Sequence, residues 1–505
     1  MRELSAATRL RDLEAMADRE LDVLVVGGGA TGAGVALDAA ARGLSVALVE
    51  RDDFASGTSG RSSRLIHGGL RYLRHGDVRI VRESLRERGI LSRVAPHLVR
   101  PFPILMPARG AVDRSMLRAA LTTYGLLAGG GPLGRFRRVG GRDAARLAPA
   151  VERPAGFVFP DCKTDDARLT IEVIRQASAR GALVANHAEV VDLIGEATVT
   201  GARIRDRAGE GSLEVRARVV VNAGGAWADR VQALAHPSPA RLRPSKGVHL
   251  VLDRARLPIE AGLFVPSVVG FASFVFAIPW GPRVYAGTTD TPFEGDLDRP
   301  TVEPEDAGIV LSSLERAVRR DLTTDDVVAS WAGVRPLLDR GGASTRDLSR
   351  RHVVWEDPPG LISVTGGKLT TFRAMAEEVV DRVAQKLGRG EPCATARLPL
   401  GLTRPLDDAI RHAEAEAGAL HHPPALGRRM VALYGDDAAE ALRRVADDPG
   451  LAEPLAPGLP VRRVESVLAR EREMALTDED VLVRRTRLAR MDEAAAERAR
   501  STLPP

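Results

Sequence analysis

Apolar positions change period three times within the first 50 residues. Residues 1–20 place them at helical spacing, as in a short amphipathic helix, and 21–26 (LDVLVV) form a continuous β-branched run suited to a buried parallel strand. GGGATGAGVALDAAARG returns to helical spacing, and SVALVE gives a second strand ending at Glu50. Strand, helix and strand within about 30 residues predict a βαβ unit. From 60 to 100 the pattern predicts a basic helical region, clearest over VRIVRESLRERGILSRVA, and MLRAALTTYGLLAG predicts another helix after the proline-rich PFPILMPARG. RLTIEVIRQASARG reads as a helix, EVRARVVVNAGG as a strand, and 241–335 as mostly β, with a helix at EPEDAGIVLSSLERAVRR. That helix carries acids in its first turn and bases in its last.

Residues 261–280 hold no charge over 20 positions, enough by count to span a bilayer. Pro266, Gly270 and Pro279 interrupt helical continuity, and the aromatic and β-branched residues predict a pair of buried strands around a glycine-containing turn. LISVTGGKLTTFRAMAEEVVDRVAQKLG, at 361–388, reads as strand, glycine turn and helix; beyond about 396 the pattern is helical throughout.

A chain of 505 residues is too long for one core, so two or three domains are expected. The two cysteines, Cys162 and Cys393, belong to no metal-ligand spacing, so neither a disulfide framework nor a metal site is expected, and a reducing compartment fits. The N-terminus lacks the apolar stretch of a secretory signal, which points to an intracellular protein. The net charge of +5 is unevenly placed: residues 61–143 hold 17 arginines against five acids. Such a block suits an anionic surface or substrate; no nucleic-acid motif accompanies it, and no nucleic-acid partner is expected. Only four of the 72 basic residues are lysines, Lys163, Lys246, Lys368 and Lys386, so a lysine marks a place where arginine would not serve. Lys386, in an ordinary helical pattern, limits that inference.

Gly27-x-Gly29-x-x-Gly32 lies directly between the first strand and helix. The first glycine makes the tight turn, the second admits a pyrophosphate to the backbone, and the third lets the helix pack closely on the strand. The pyrophosphate then sits on the helix N-terminus. Glu50, 18 residues past Gly32, is placed to accept from ribose hydroxyls and to repel the 2′-phosphate of NADP. The fingerprint alone fits FAD and NAD alike.

The run from GGGATGAG through TSGRSSRLIHGGLRYL resembles the N-terminus of the FAD-dependent glycerol-3-phosphate dehydrogenases, within the D-amino-acid oxidase-like flavoproteins. The resemblance continues through FPDCKTDDARLT, VVVNAGGAWAD, SKGVHLVL, FAIPWGPRVYAGTTDTPFEGD, WAGVRPLL, STRDLSR, TGGKLTTFR and the tail EMALTDEDVLVRRTRLA. It implies an α/β fold: a Rossmann-like FAD-binding domain (21–80, 150–235, 350–395), a mixed α+β substrate domain (81–149, 236–349) and a C-terminal all-helical domain (396–505), after the N-terminal helix 1–20. For the cofactor it implies Ala223, Gly224 and Trp227, the loop residues Thr58, Ser59, Ser63 and His67, and a closure by Gly366, Gly367, Leu369 and Thr370. Two departures stand out. Arg64 replaces the family's usual lysine, which puts a hydrogen bond to the flavin in question, and the turn inside 261–280, often charged in relatives, is SVVGFAS.

The implied reaction is oxidation of sn-glycerol 3-phosphate to dihydroxyacetone phosphate, by hydride transfer from C2 to flavin N5, with electrons passed to a membrane quinone. It needs a base for the hydroxyl proton, alignment of C2 with the flavin, and a phosphate grip. Arginine forks and a hydroxyl suit the phosphate; the resemblance assigns Arg71, Tyr72 and Arg346. It puts His249, Arg335 and Lys368 near the reacting carbon, with His249 as base and His67 as rival. An oxygen-using glycerophosphate oxidase, another alcohol or amine oxidase of the same fold, and a flavin-binding subunit without turnover are the alternatives. The resemblance also implies a cytoplasmic protein held peripherally at the inner face of the cell membrane. The basic 78–94 and apolar 115–128 helices are the candidates to lie on an anionic surface, and a homodimer is possible.

Overall fold

The computed structural model describes residues 3–504 except 76, 109, 130–132, 152–154, 271–272 and 340–350. Two sheets organise it. The first has a parallel core in the order Leu361–Thr365, Ser212–Asn222, Leu21–Val26, Val46–Val49, Leu183–Ala185, with the antiparallel Val353–Glu356 at one edge. The period-free apolar runs are explained by burial on both faces. Val23 and Val25 join one core cluster with the helices Ala30–Ala41, Asp166–Ser178 and Phe372–Leu387. Leu24 and Val26 join another with the helix Ala6–Ala17 and the antiparallel strands Ala188–Ile194 and Gly201–Asp206.

The second sheet is mostly antiparallel. Ser245–Asp253 lies between Arg283–Gly287 and Val327–Arg335, and the sheet continues through Phe274–Trp280, Gly262–Pro266, Arg100–Pro107 and Gly156–Lys163. The uncharged 261–280 segment forms the expected strand pair, Leu263 opposite Ala277 and Val265 opposite Val275. One face packs Val248, Leu250 and Leu252 with the helix Pro304–Glu315. The other is aromatic, with Phe276, Tyr285 and Trp331, and is covered by Val78–Val94 and Ala111–Leu127.

Three details differ from the sequence-based expectation. Helix begins only at Val78, capped by Asp77; before it residues 58–75 form two short turns and the two-residue strand Leu65–Ile66. Glycines and serines there leave the backbone free to follow neighbouring elements rather than close helical hydrogen bonds. Leu65–Ile66 and Gly156–Lys163, expected within the first domain, pair in the second sheet. The helix predicted at 303–320 ends at Glu315, before its basic residues. Beyond 396 the chain is helical, from Leu406–Ala419 to Glu493–Arg500, with a π-helical turn at Asp480–Arg485.

Candidate active site

The turn between the first strand and helix is as compact as its glycines require. Gly27 has φ +114°, and a Cβ there would lie 2.6 Å from the Ala223 carbonyl oxygen; a Cβ at Gly32 would overlap the Gly27 carbonyl oxygen. Ser59 Oγ accepts from the Ala30 amide at 2.8 Å, which draws the 57–64 loop onto the helix N-terminus. Glu50 Oε2 accepts from the Gly28 amide at 2.7 Å and Oε1 from the Asp52 amide at 2.9 Å. Burial pushes the Glu50 carboxyl above its ordinary value against those two donors.

A cavity of about 490 Å³ runs from this turn. Among the expected cofactor residues Gly27, Gly29, Glu50, Thr58, Ser59, Ala223, Gly224, Trp227, Gly366, Gly367 and Leu369 line it, as does Lys368. Gly32, Ser63, His67 and Thr370 do not. Thr370 instead holds the backbone of His67, accepting from its amide at 3.1 Å and donating to its carbonyl at 3.3 Å. The cavity's free glycine backbone, a helix N-terminus and a carboxylate beside the second strand suit a pyrophosphate and a ribose, and so fit FAD.

Sequence reasoning missed several lining residues, including Arg51, Ser62, Glu189, Val190 and Phe372. Ser62 was within reach, lying in the serine loop. Glu189 and Val190 belong to an unremarkable strand and carry no local signal. Asp298, also missed, accepts from Trp227 Nε1 at 2.8 Å and pairs with Arg51.

The second sheet supplies the charged side chains. On Ser245–Asp253, Gly247 and His249 share a face by strand alternation. Arg335, at the end of Val327–Arg335, lays its guanidinium over Gly247, where any Cβ would overlap it. It donates to Thr288 Oγ1 at 2.9 Å and to the carbonyls of Thr289 (3.1 Å) and Lys246 (3.3 Å). His249 is 2% exposed, stacked on Trp331 at 4.8 Å between ring centroids, and its Nε2 lies 3.2 Å from Ser63 Oγ. Burial first, then the Arg335 and Arg64 charges, pushes it down to about 3, so the ring is neutral at physiological pH.

Lys368, after the Gly366-Gly367 turn, donates to Ser84 Oγ at 3.0 Å and sits 4.0 Å from the Tyr72 ring centroid. A buried network stands behind this loop. Tyr124 Oη accepts from the Gly68 amide at 2.8 Å and donates to Asp161 at 3.0 Å, and Arg88 pairs with Asp161 at 2.6 Å. Of the three residues expected to grip phosphate, Tyr72 is half-buried under Lys368. Arg346 and the Arg71 side chain lie outside the described residues.

The substitution at 64 does not reach the cavity. Arg64 pairs with Asp165 at 2.5 Å and stacks 3.9 Å from the Trp280 ring centroid. Two other lysines have structural partners: Lys246 pairs with buried Asp306 at 2.7 Å, and Lys163 lies 4.6 Å from the Phe102 ring centroid, burial pushing it down to about 8. Among the described residues Asp53, His187 and Asp480 form one metal-ligand-like group, but Arg484 and Arg485 hold Asp53 and Arg484 holds Asp480.

Residues 22–382 match the family described as FAD dependent oxidoreductase, and 393–503 the C-terminal domain of alpha-glycerophosphate oxidase. The chain is 41% identical to glycerol-3-phosphate dehydrogenase 1 of Mycobacterium tuberculosis, covering 96% of this chain and 95% of that protein. It is 34% identical to an aerobic glycerol-3-phosphate dehydrogenase of Staphylococcus saprophyticus, over 96% and 89%. The solved glycerol-3-phosphate dehydrogenase of Bacillus halodurans, complexed with FAD, superposes with a TM-score of 0.81 at 32% identity, over 98% of this chain and 91% of that one. A glycine oxidase of Geobacillus kaustophilus, at 20% identity and a TM-score of 0.55, shares the fold alone. The protein is therefore an FAD-dependent oxidoreductase, and the chain belongs to the glycerol-3-phosphate dehydrogenase family.

Proposed function

We propose that this enzyme oxidises sn-glycerol 3-phosphate to dihydroxyacetone phosphate in glycerol and glycerophospholipid breakdown and passes the electrons to a quinone. The observation that carries the proposal is the end-to-end likeness to relatives of that name, and the partly buried cations Arg335 and Lys368, the latter over the Tyr72 ring, support it. The chemistry that FAD supplies when bound is two-electron acceptance from C2 and onward transfer to the quinone.

The substrate's phosphate dianion goes to Arg71, Tyr72 and Arg346. Arg335, fixed by three acceptors, and Lys368, fixed by Ser84, stabilise negative charge on the C2 oxygen as its proton leaves. His249 takes that proton. Its neutral ring is ready at any ordinary pH, and the dianion entering the site offsets the cationic neighbours that hold its basicity down. The cofactor residues act as assigned from the sequence, and the two sheets and helical tail act as cofactor, substrate and C-terminal domains, with Leu65–Ile66 and Gly156–Lys163 counted in the substrate domain.

Peripheral attachment to the inner face of the cell membrane completes the proposal. Among the described residues no helix is long and apolar enough to cross a membrane. The helix Ala111–Leu127 buries only Leu121 and Tyr124 and exposes Val112, Met116 and Leu126, while Val78–Val94 exposes Arg79, Arg82 and Arg86 along one stripe. Apolar area beside cationic charge is what an anionic bilayer binds. Turnover of glycerol 3-phosphate with a soluble quinone under nitrogen, product identified as dihydroxyacetone phosphate, tests the reaction. Turnover with oxygen but not quinone would identify an oxidase instead. Cosedimentation with anionic liposomes, lost in high salt, tests the membrane assignment.

A further inference from the structure

None of the residues lining the cavity lies beyond Met375, yet the C-terminal segment Arg484-Arg485-Thr486-Arg487 reaches directly to the loop that forms one cavity wall. Within residues 53–62 the local hydrogen bonds are short-range turns, such as Gly60 N–H to Gly57 O at 3.2 Å and Arg61 N–H to Thr58 O at 3.2 Å. Turns of this kind leave the loop's placement on the protein to longer-range partners.

Some of them lie elsewhere, with the Ala55 amide on the Gly28 carbonyl at 3.0 Å, the Ala30 amide on Ser59 Oγ at 2.8 Å and Thr58 Oγ1 on the Val334 carbonyl at 2.6 Å, while the arginine partners come from the far end of the chain. At the loop's start, fully buried Asp53 accepts from Arg484 Nε at 2.6 Å, from both terminal nitrogens of Arg485 at 2.5 and 2.8 Å, and from Asn186 at 2.8 Å. At its end, Arg487 donates one terminal nitrogen to the Gly60 carbonyl at 3.0 Å and the other to Asp166 Oδ1 at 2.8 Å. The second oxygen of Asp166 accepts from the Ser62 amide at 2.9 Å. Ser62 is held within the second fastening, and Thr58 and Ser59 line the cavity between the two, each with a further partner in Val334 and Ala30.

Arg487 has φ +64°. An L side chain is strained there and glycine would not be, so what arginine contributes is its forked donor set. Its acceptors at the loop are the Gly60 carbonyl and the fully buried Asp166 carboxylate, and removal of the fork leaves both without that donor in a site shut off from water.

We infer that the C-terminal domain is a latch on the cofactor loop, with Arg487 as the positioning residue that couples the domain to FAD affinity. The domain does not line the cavity; it also holds His187 through Asp480 and Ser330 through Glu493, but of the cavity-lining segments the loop is the one its arginines fasten at both ends. Coupling of this kind is reciprocal: if the latch favours FAD, FAD must favour the latched state.

The test uses the full-length holoenzyme and Arg487→Gln, Arg487→Lys and, as a control for general weakening of the domain, Arg429→Gln, which breaks the Arg429–Glu465 pair (2.6 Å) away from the loop. FAD dissociation constants are read from flavin fluorescence on release, beside the melting temperature of each apoprotein. In the wild type, hydrogen exchange of residues 56–63 and 480–490 is compared before and after FAD is stripped. The latch predicts about tenfold or greater weakening in Arg487→Gln, an intermediate value in Arg487→Lys, and a change below about twofold in Arg429→Gln. It also predicts faster exchange in both segments once FAD is gone. A folded Arg487→Gln protein with wild-type FAD affinity overturns it. If that variant does not fold, the wild-type exchange decides: faster exchange in 56–63 with no change in 480–490 also overturns it.

Discussion

The two halves of the proposed active site are built from different materials. The cofactor half is made of backbone: glycine turns at 27–32 and 366–367, a helix N-terminus, and one carboxylate held by amides. The substrate half is made of long charged and aromatic side chains, each aimed by partners far away in sequence: Arg335 by Thr288, Lys368 by Ser84, His249 by Ser63 and Trp331. A backbone site tolerates no added volume and depends on charge and pH chiefly through Glu50. A side-chain site tolerates changes of volume better and fails by loss of a charge or a hydrogen bond.

The sharpest way to break this contrast is a methyl group. Gly32→Ala puts a Cβ onto the Gly27 carbonyl oxygen, with backbone on both sides of the clash, and the purified protein is expected to carry no flavin absorbance. Retention of bound FAD would show that the turn yields and that the cofactor half is not rigid. Next in size is Arg335→Ala, which leaves the cavity lining intact. Flavin content should be unchanged while kcat/KM falls by about 10²–10³-fold, the usual loss for one donor to a developing oxyanion; a fall in flavin content instead would merge the two halves.

The pH profile follows. A base must be neutral to accept a proton, and the environment of His249 favours the neutral form, moving its titration from 6.5 down toward about 3. With His249 as base, kcat/KM, once corrected for the ionisation of the substrate's own phosphate at a pH of about 6, is therefore flat from pH 8 to below 6 and falls only in stronger acid. In Arg335→Lys, which keeps the cation, the limb stays low; in Arg335→Ala, which removes one of the charges opposing protonation, it moves upward. A wild-type limb near 6.5 would transfer the role to another group, His67 first. The smallest effect is expected from Tyr124→Phe, which removes one hydroxyl behind Gly68. The hydroxyl makes two hydrogen bonds, but only the one to the Gly68 amide holds the loop, and at about 1 kcal/mol its loss should raise KM for the substrate about fivefold with flavin content and kcat little changed.

Legibility in the sequence follows the same division. The Gly27–Glu50 unit could be read from 24 consecutive residues because its logic is local: periodicity, turn and helix end. The uncharged 261–280 segment was legible as strands for the same reason. The 60–77 segment was misread as helical because its arginines and leucines mimic helical spacing, whereas its glycines serve contacts with Tyr124 and Lys368 that no window of sequence contains. The substrate-half assignments came from resemblance alone. Ser84, Asp161 and Tyr124, which aim and support that half, sit in ordinary-looking helix and strand. Which sheet the strands at 65–66 and 156–163 join was not legible, since short strands at a crossing carry the same alternation whichever sheet they pair in.

Anaerobic mixing of the purified holoenzyme with sn-glycerol 3-phosphate tests the account most directly. Bleaching of the visible flavin band, with one dihydroxyacetone phosphate formed per flavin, is the predicted result. A flavin that stays oxidised with glycerol 3-phosphate, yet bleaches with an unphosphorylated alcohol or an amino acid, would contradict it.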